Sequence, residues 1–266
     1  MKSAIKRAVK HTVAMLSHAG APAARVLTYH SVGDRRHDMN VTLRDFETQM
    51  AWLAAHAEVI TLEDAAAGRP GIAITLDDGY EDNLLNAAPV LQRHGFPATL
   101  FLVTGRTGQC LDDEPDPDRG RIMDRTQARE WLDRGFALGG HTRTHPRLSQ
   151  LDRVAQRDEI AGCKRDIEEA LGIEVPHFAY PYGSAWDYNP DSVALAQEAG
   201  YRAAFSNRYG VCTPTDGPYA YRRIWIDASD SLAHFAAKAS GRLDALRFLD
   251  EPAALALRKG LNKVRP

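Results

Sequence analysis

Gly71-Ile72-Ala73-Ile74-Thr75-Leu76-Asp77-Asp78-Gly79-Tyr80 is an apolar, partly β-branched run that stops on two adjacent carboxylates and a glycine. It has the length and composition of a buried strand, and Gly79 supplies the turn that ends it. Both aspartates then stand at a strand's carboxyl end. In α/β folds ligand chemistry collects there, because the strands hold that rim rigid while its loops vary. Two ionised carboxylates side by side repel, and a cation beside them is the simplest way to keep both charged. Taken alone, the tripeptide Asp-Asp-Gly reads as a solvent-exposed turn.

A second segment, His141-Thr142-Arg143-Thr144-His145, changes that reading. His-x-x-x-His puts two imidazoles one helical turn apart, or on one short loop, where both can reach an ion at about 2.0–2.1 Å. Alone, the pair reads as surface histidines. Its prefix Phe136-Ala137-Leu138-Gly139-Gly140, however, looks like another buried strand with glycines at its exit. Two strand exits with complementary ligand types argue for a metal site and a hydrolase. A third segment, Phe178-Ala179-Tyr180-Pro181-Tyr182-Gly183, ends a further apolar stretch.

Outward from these segments, strands and helices alternate. A first strand at Val26-Leu27-Thr28-Tyr29-His30 is followed by a helix over residues 44–56, in which Phe46, Met50 and Leu53 share a face. A helix over 82–94 and a strand over 98–103 follow the Asp-Asp turn. Ser149, with Asp152 three residues on, resembles a helix-start box for a helix reaching residue 171. A helix over 190–199, strands over 201–205 and 223–226, and a helix over 230–239 complete the pattern. Such alternation predicts an α/β fold with a parallel sheet. The acidic, proline-rich stretch 112–118 reads as a solvated loop.

At 266 residues the chain suits one barrel-like domain, and a formal net charge of -2 without an aromatic-basic stripe argues against nucleic acid as a partner. Cys110, Cys163 and Cys212 are odd in number and widely spaced, so they form neither a disulfide framework nor a zinc ribbon, and a reducing compartment is the inference. No apolar run is long enough to span a membrane. Near the amino terminus Ile5, Val9, Thr12 and Leu16 recur at helical spacing with basic residues largely opposite. Beyond Pro252, Ala253, Leu257, Leu261 and Val264 do the same. Basic amphipathic helices are therefore expected over 1–25 and 251–266, flanking a domain at 26–250. Each apolar stripe can pack on the domain itself, on a second copy in a homodimer, or on the anionic inner face of a membrane. The expected location is cytoplasmic, with peripheral membrane contact as the variant.

In their order from Thr75 to Gly183, the three segments resemble the motifs of the NodB-homology polysaccharide deacetylases, a carbohydrate esterase family: Thr-Phe-Asp-Asp-Gly, His-(Ser/Thr)-x-x-His and a final Pro-Tyr-Gly. The resemblance implies a distorted, incomplete (β/α) barrel. It makes Asp78, His141 and His145 the ligands of one divalent ion, zinc first, with cobalt, nickel, manganese or iron also suited to that donor set. It makes Asp77 the general base, and the backbone N–H of Tyr182 a donor to the tetrahedral oxyanion. The implied substrate is an N-acetylated glycan. Leu27-Thr28-Tyr29-His30 and Tyr180-Pro181-Tyr182-Gly183 further resemble the short exopolysaccharide-linked branch, including enzymes of adhesin or holdfast synthesis.

Two positions depart from the family pattern. An arginine that orients the base, two positions before the proline of the third motif, is replaced by Ala179. Arg222 or Arg223 is a candidate to replace it, although each alone reads as a surface arginine. The family's last motif, Leu-x-x-His, finds only Leu232-Ala233-His234, one residue too short and inside an expected helix. We therefore give the general-acid role to His30 at the end of the first strand, where an imidazole with an ordinary pKa near 6.5 suits it; the alternative is a core histidine bonded to nearby backbone. Alternative functions are hydrolysis of formyl or other small amides on the same fold, an inactive glycan-binding homologue, and a non-haem iron oxygenase. The last ignores the second aspartate and the Pro-Tyr-Gly segment.

Overall fold

β1 (Ala24–Tyr29) opens the chain's sheet, and a small pair, β2 (Ser31–Val32) and β3 (Asn40–Val41), stays outside it. β4 (Gly71–Leu76), β5 (Thr99–Leu102), β6 (Ala137–Gly140), β7 (His177–Ala179), β8 (Ala203–Tyr209) and β9 (Tyr221–Trp225) then join β1 in a closed ring of seven parallel strands. The computed structural model describes residues 21–34, 37–111 and 120–250. Residues 1–20 and 251–266, which carry most of the two expected terminal helices, and the acidic loop at 112–118 lie outside the described residues.

The ring is one strand short of a complete (β/α) barrel, and it is distorted where expected pairing thins out. β6 and β7 share the single register pair Gly140↔Phe178, and the β8–β9 ladder shifts register between Phe205 and Tyr209. β9 closes the ring on β1 through Leu27↔Ile224 and Thr28↔Trp225. Helices α1 (Leu43–His56), α2 (Leu62–Ala66), α3 (Ala88–His94), α4 (Arg125–Asp133), α5 (Arg153–Leu171), α6 (Pro190–Glu198) and α7 (Leu232–Ala239) surround it. No described helix is long and apolar enough to cross a membrane.

Alternation along the strands sorts side chains between two apolar cores. Leu27, Ile72 and Ile74 pack outward with Phe46, Met50 and Leu53 of α1. Val26, Ala73, Phe101, Ala179, Phe205 and Tyr221 fill the barrel interior. A side chain at Gly139 would put its Cβ 2.4 Å from the Phe101 ring, so the glycine is what lets that ring fill the centre. Continuing the same parity along β1, β4 and β9 leads from Val26 to His30, from Ala73 to Asp77, and from Tyr221 to Arg223, all toward the barrel axis.

Several boundaries differ from expectation. β1 begins at Ala24 rather than 26, because Arg25 is buried and ion-paired at 2.5 Å with Asp244, a partner 219 residues along the chain. Helix α5 is capped by Asp152, which accepts from the Ala155 N–H at 2.8 Å. Ser149 is not the cap, since its hydroxyl donates to the Trp186 carbonyl at 2.6 Å. β8 runs four residues past position 205 because its polar end still pairs with β9. The helix expected over 82–94 starts as a π-helical turn, Asn83–Ala87, before α3.

Candidate active site

Asp77 leaves β4 with its N–H donated to the Tyr29 carbonyl, and its carboxylate faces Arg223 from β9. The arginine's two terminal nitrogens donate to the two carboxylate oxygens at 2.7 Å each, and both side chains are fully buried. The Arg223 Nε donates to the Ser206 carbonyl at 3.0 Å, and Nη1 also reaches Thr75 Oγ1 at 3.3 Å. This fork holds the guanidinium in one plane against Asp77. Burial alone would raise the Asp77 pKa; the charge and hydrogen bonds of Arg223, with His141, outweigh it and hold the carboxyl below its ordinary range.

Arg223 is therefore the arginine that meets Asp77, and the surface reading of it is corrected. Arg222, one residue earlier, points the other way, toward Asp216 at 3.3 Å and the Tyr209 carbonyl at 3.4 Å. Sequence could not choose between them, because a strand sends neighbours to opposite faces and either parity was open.

Asp78 turns away from Asp77 in a left-handed conformation, φ 71°. Its buried Oδ1 has no hydrogen-bond partner among the described residues. It lies 3.4 Å from His141 Nε2 and 3.3 Å from His145 Nε2, and these ligand atoms all lie within 4.8 Å of one another. Two donors each about 2.05 Å from one ion in tetrahedral geometry stand ~3.3 Å apart, so the donor set fits a divalent ion. His141 Nδ1 sits 2.8 Å from the Ala179 carbonyl, which can only accept; Nδ1 thus carries hydrogen and Nε2 is turned to Asp78. Burial lowers the His141 pKa, but Asp77 and Asp78 outweigh it and raise the value overall. For His145 burial prevails and pushes the pKa down to about 4.

The two histidines lie on a loop rather than a helix. Thr142 at φ 66° and His145 at φ 60° are left-handed, and Thr142 Oγ1 accepts from the His145 N–H at 3.0 Å. With Asp78 and Tyr182 (φ 59°), they are all the non-glycine residues with positive φ among the described residues, and all four belong to this rim. Backbone of that kind persists only where its surroundings over-determine it, and it clusters at functional sites.

His30 follows β1 at the same rim, since Tyr29 pairs with Leu76 and the residues next after each strand are His30 and Asp77. It is buried, and its Nδ1 has no hydrogen-bond partner among the described residues, unlike a core histidine tied to backbone through that atom. Burial lowers its pKa against the pull of Asp78 and Asp77. Tyr182 is half-exposed beside His145, ring centroids 4.9 Å apart, with the Arg147 guanidinium 4.0 Å over its ring. His234 is elsewhere: on α7, its Nδ1 lies 2.6 Å from Asp230, which also pairs with Lys238. Trp186 and Trp225, which sequence reading passed over, are half-exposed on the segments that follow Tyr182 and Arg223. Two-residue spacing from Arg223 was the signal available for Trp225.

A family model described as polysaccharide deacetylase matches residues 64–204. The YxkH protein of Bacillus subtilis (strain 168) is 26% identical over 221 residues, covering 80% of this chain and 74% of its own length. The poly-beta-1,6-N-acetyl-D-glucosamine N-deacetylase of Staphylococcus aureus (strain MRSA252) is 26% identical over 212 residues, 73% of this chain and 70% of that protein. Among solved structures, IcaB from Ammonifex degensii superposes with a TM-score of 0.72 at 24% identity, covering 84% of this chain and all of the other, and so shares the fold. With more than half its length matched by the family model, the chain belongs to the polysaccharide deacetylase family.

Proposed function

We propose that this chain is a metal-dependent N-deacetylase that hydrolyses the acetamide of N-acetylhexosamine units in an exopolysaccharide or its lipid-linked precursor. The observation that carries the reading is a buried carboxylate, Asp77, kept ionised by Arg223 beside the Asp78, His141 and His145 cluster. A base and a ligand cluster at one rim suit water-dependent amide cleavage; a glycan binder needs no such base.

Asp78, His141 and His145 would hold the divalent ion, zinc first. When bound, it supplies Lewis acidity, easing deprotonation of water and polarising the amide carbonyl. Asp77 takes the proton from water as the oxygen attacks the carbonyl carbon. Arg223 keeps the carboxylate oriented and charged for that step. The Tyr182 N–H donates to the oxyanion of the tetrahedral adduct. His30 delivers a proton to the amine nitrogen as the C–N bond breaks, leaving acetate and a free amine. Burial holds the His30 pKa below its ordinary value against the field of the two carboxylates, so His30 rests neutral and the proton it passes to the amine is the one that Asp77 has taken from water.

The rim supports a sugar substrate. Tyr182, Trp186 and Trp225 are 47%, 45% and 44% exposed around the carboxyl ends of β7 and β9. They offer flat apolar faces with polar tips, suited to an amphipathic sugar ring. The Staphylococcus aureus relative, whose name gives it a poly-N-acetylglucosamine substrate, supports the hexosamine assignment.

The test is acetate release from N-acetylglucosamine oligomers by the zinc-loaded protein, with Asp77→Asn alongside. Release by the parent and loss in the variant is the expected result. Formate release from N-formyl analogues with no acetate from the oligomers would move the assignment to a deformylase.

A further inference from the structure

Two of the three residues between the candidate histidine ligands, Arg143 and Thr144, are fastened to helix α5 by one carboxylate. Glu159 Oε2 accepts from two successive main-chain donors, the N–H of Arg143 at 2.8 Å and of Thr144 at 2.9 Å, while Oε1 accepts from Thr144 Oγ1 at 2.6 Å. The Arg143 side chain turns back onto the same helix and forks onto Asp166 through Nε at 2.9 Å and Nη2 at 2.8 Å. Gly162 makes room for it, since a Cβ there would fall 2.6 Å from Arg143 Nε. On the other side, the Gly105 N–H donates to the Arg143 carbonyl at 2.8 Å. These bonds brace a loop whose flanking residues, Thr142 and His145, are both left-handed.

We infer that Glu159 is a positioning residue for the metal centre: by gathering the Arg143 and Thr144 N–H groups, it holds His145 in the left-handed conformation that aims its Nε2 at Asp78. The inference rests on the metal-binding part of the proposed function. Its physical basis is preorganisation. A charged acceptor shared by two main-chain donors is among the stronger neutral-donor arrangements, and α5, a 19-residue helix, is a stiffer anchor than the loop. Without it, the two strained residues relax toward ordinary backbone, and the ion must then reorder the loop on binding. Groups that orient metal ligands typically contribute about 10–100-fold to metal affinity.

The test measures the Zn(II) dissociation constant of the metal-stripped protein by competition with a chromophoric chelator, together with the thermal midpoint of the metal-free form. Glu159→Ala is expected to weaken binding about 10–100-fold. Glu159→Gln keeps an acceptor oxygen without its charge, and is expected to fall between, weakened about three- to fivefold. Arg153→Ala, on the same helix but paired outward with Asp191 and Glu198, controls for loss of helix stability and should bind as the parent does. Parent-like affinity in Glu159→Ala overturns the inference. If that variant does not fold, parent-like affinity in Glu159→Gln overturns it. A parent that binds no divalent ion overturns the metal centre and the inference together. A parent that binds Zn(II) but deacetylates no glycan, with the order Glu above Gln above Ala in affinity, sustains the inference and removes only the substrate reading.

Discussion

Carboxylates, histidines and arginines meet at both ends of this barrel, with different consequences. At the carboxyl end, Asp77 and Arg223 face each other with no exposed surface. At the amino end, His177 at the start of β7 lies 3.0 Å from Glu63, and Arg202 lies 2.7 Å from Glu174, but Glu63, Arg202 and Glu174 are all more than half exposed. Water screens the second set, so its pairs contribute little; in the first, every charge feels its neighbours at low effective dielectric. The backbone differs in parallel. At the amino end, the left-handed turns after α3 and α5 are glycines, Gly95 and Gly172, which adopt that conformation without steric strain. At the carboxyl end, the left-handed positions carry Asp78, Thr142, His145 and Tyr182. Strain of about 1–3 kcal/mol per residue is accepted there for the direction it gives a side chain.

The largest effect that would separate the two ends is chemical. Asp77→Asn should lower kcat for acetate release by about a hundredfold to ten-thousandfold, with folding retained. A loss below tenfold would place the base elsewhere. Arg223→Met comes next: it leaves Asp77 buried and unpaired, and unfolding in denaturant should show about 3–5 kcal/mol lost at neutral pH. A loss under about 1 kcal/mol would mean that the pair is no more consequential than a surface one. On the rim, Trp225→Ala should raise KM for oligomers by about two- to tenfold with kcat little changed, the range expected for ~0.5–1.5 kcal/mol of aromatic contact. An unchanged KM would remove Trp225 from the substrate surface.

The amino end should respond weakly. Burial holds the His177 pKa below its ordinary value of 6.5, against the pull of Glu63. The unfolded chain therefore takes up a proton there, as pH falls below 6.5, before the folded chain does. The stability this gives is present above that pH and lost toward the lowered value. Unfolding free energy measured against pH should flatten over that window in His177→Gln, while an unaltered slope would assign the window to other histidines. Smallest of all, Glu63→Gln should change stability by under about 1 kcal/mol and leave activity untouched. A deacetylation defect in that variant would break the contrast between the ends.

Much of the rim is legible in the chain itself. Asp77, Asp78, His141, His145, Tyr182 and His30 were each read at a strand exit, and parallel strands put all such exits at one rim, so their convergence follows from alternation alone. Arg223 was legible only as one of two, because its role depends on β9 closing the ring against β1 and bringing β9 near β4. The early start of β1 and the cap of α5 were misread for a related reason: Arg25 and Ser149 have partners, Asp244 and Trp186, that adjoin them only in space.

The sequence by itself determined the strand-helix alternation, the donor types at the rim and the absence of a charge bias toward nucleic acid, since these depend on composition and short-range spacing. Only the tertiary structure decided which arginine keeps Asp77 charged, which histidine is driven neutral by burial, and which helix braces the loop that carries His141 and His145. Each of those depends on burial and on distances between residues far apart in the chain, and electrostatic energies change with both far more than with residue identity.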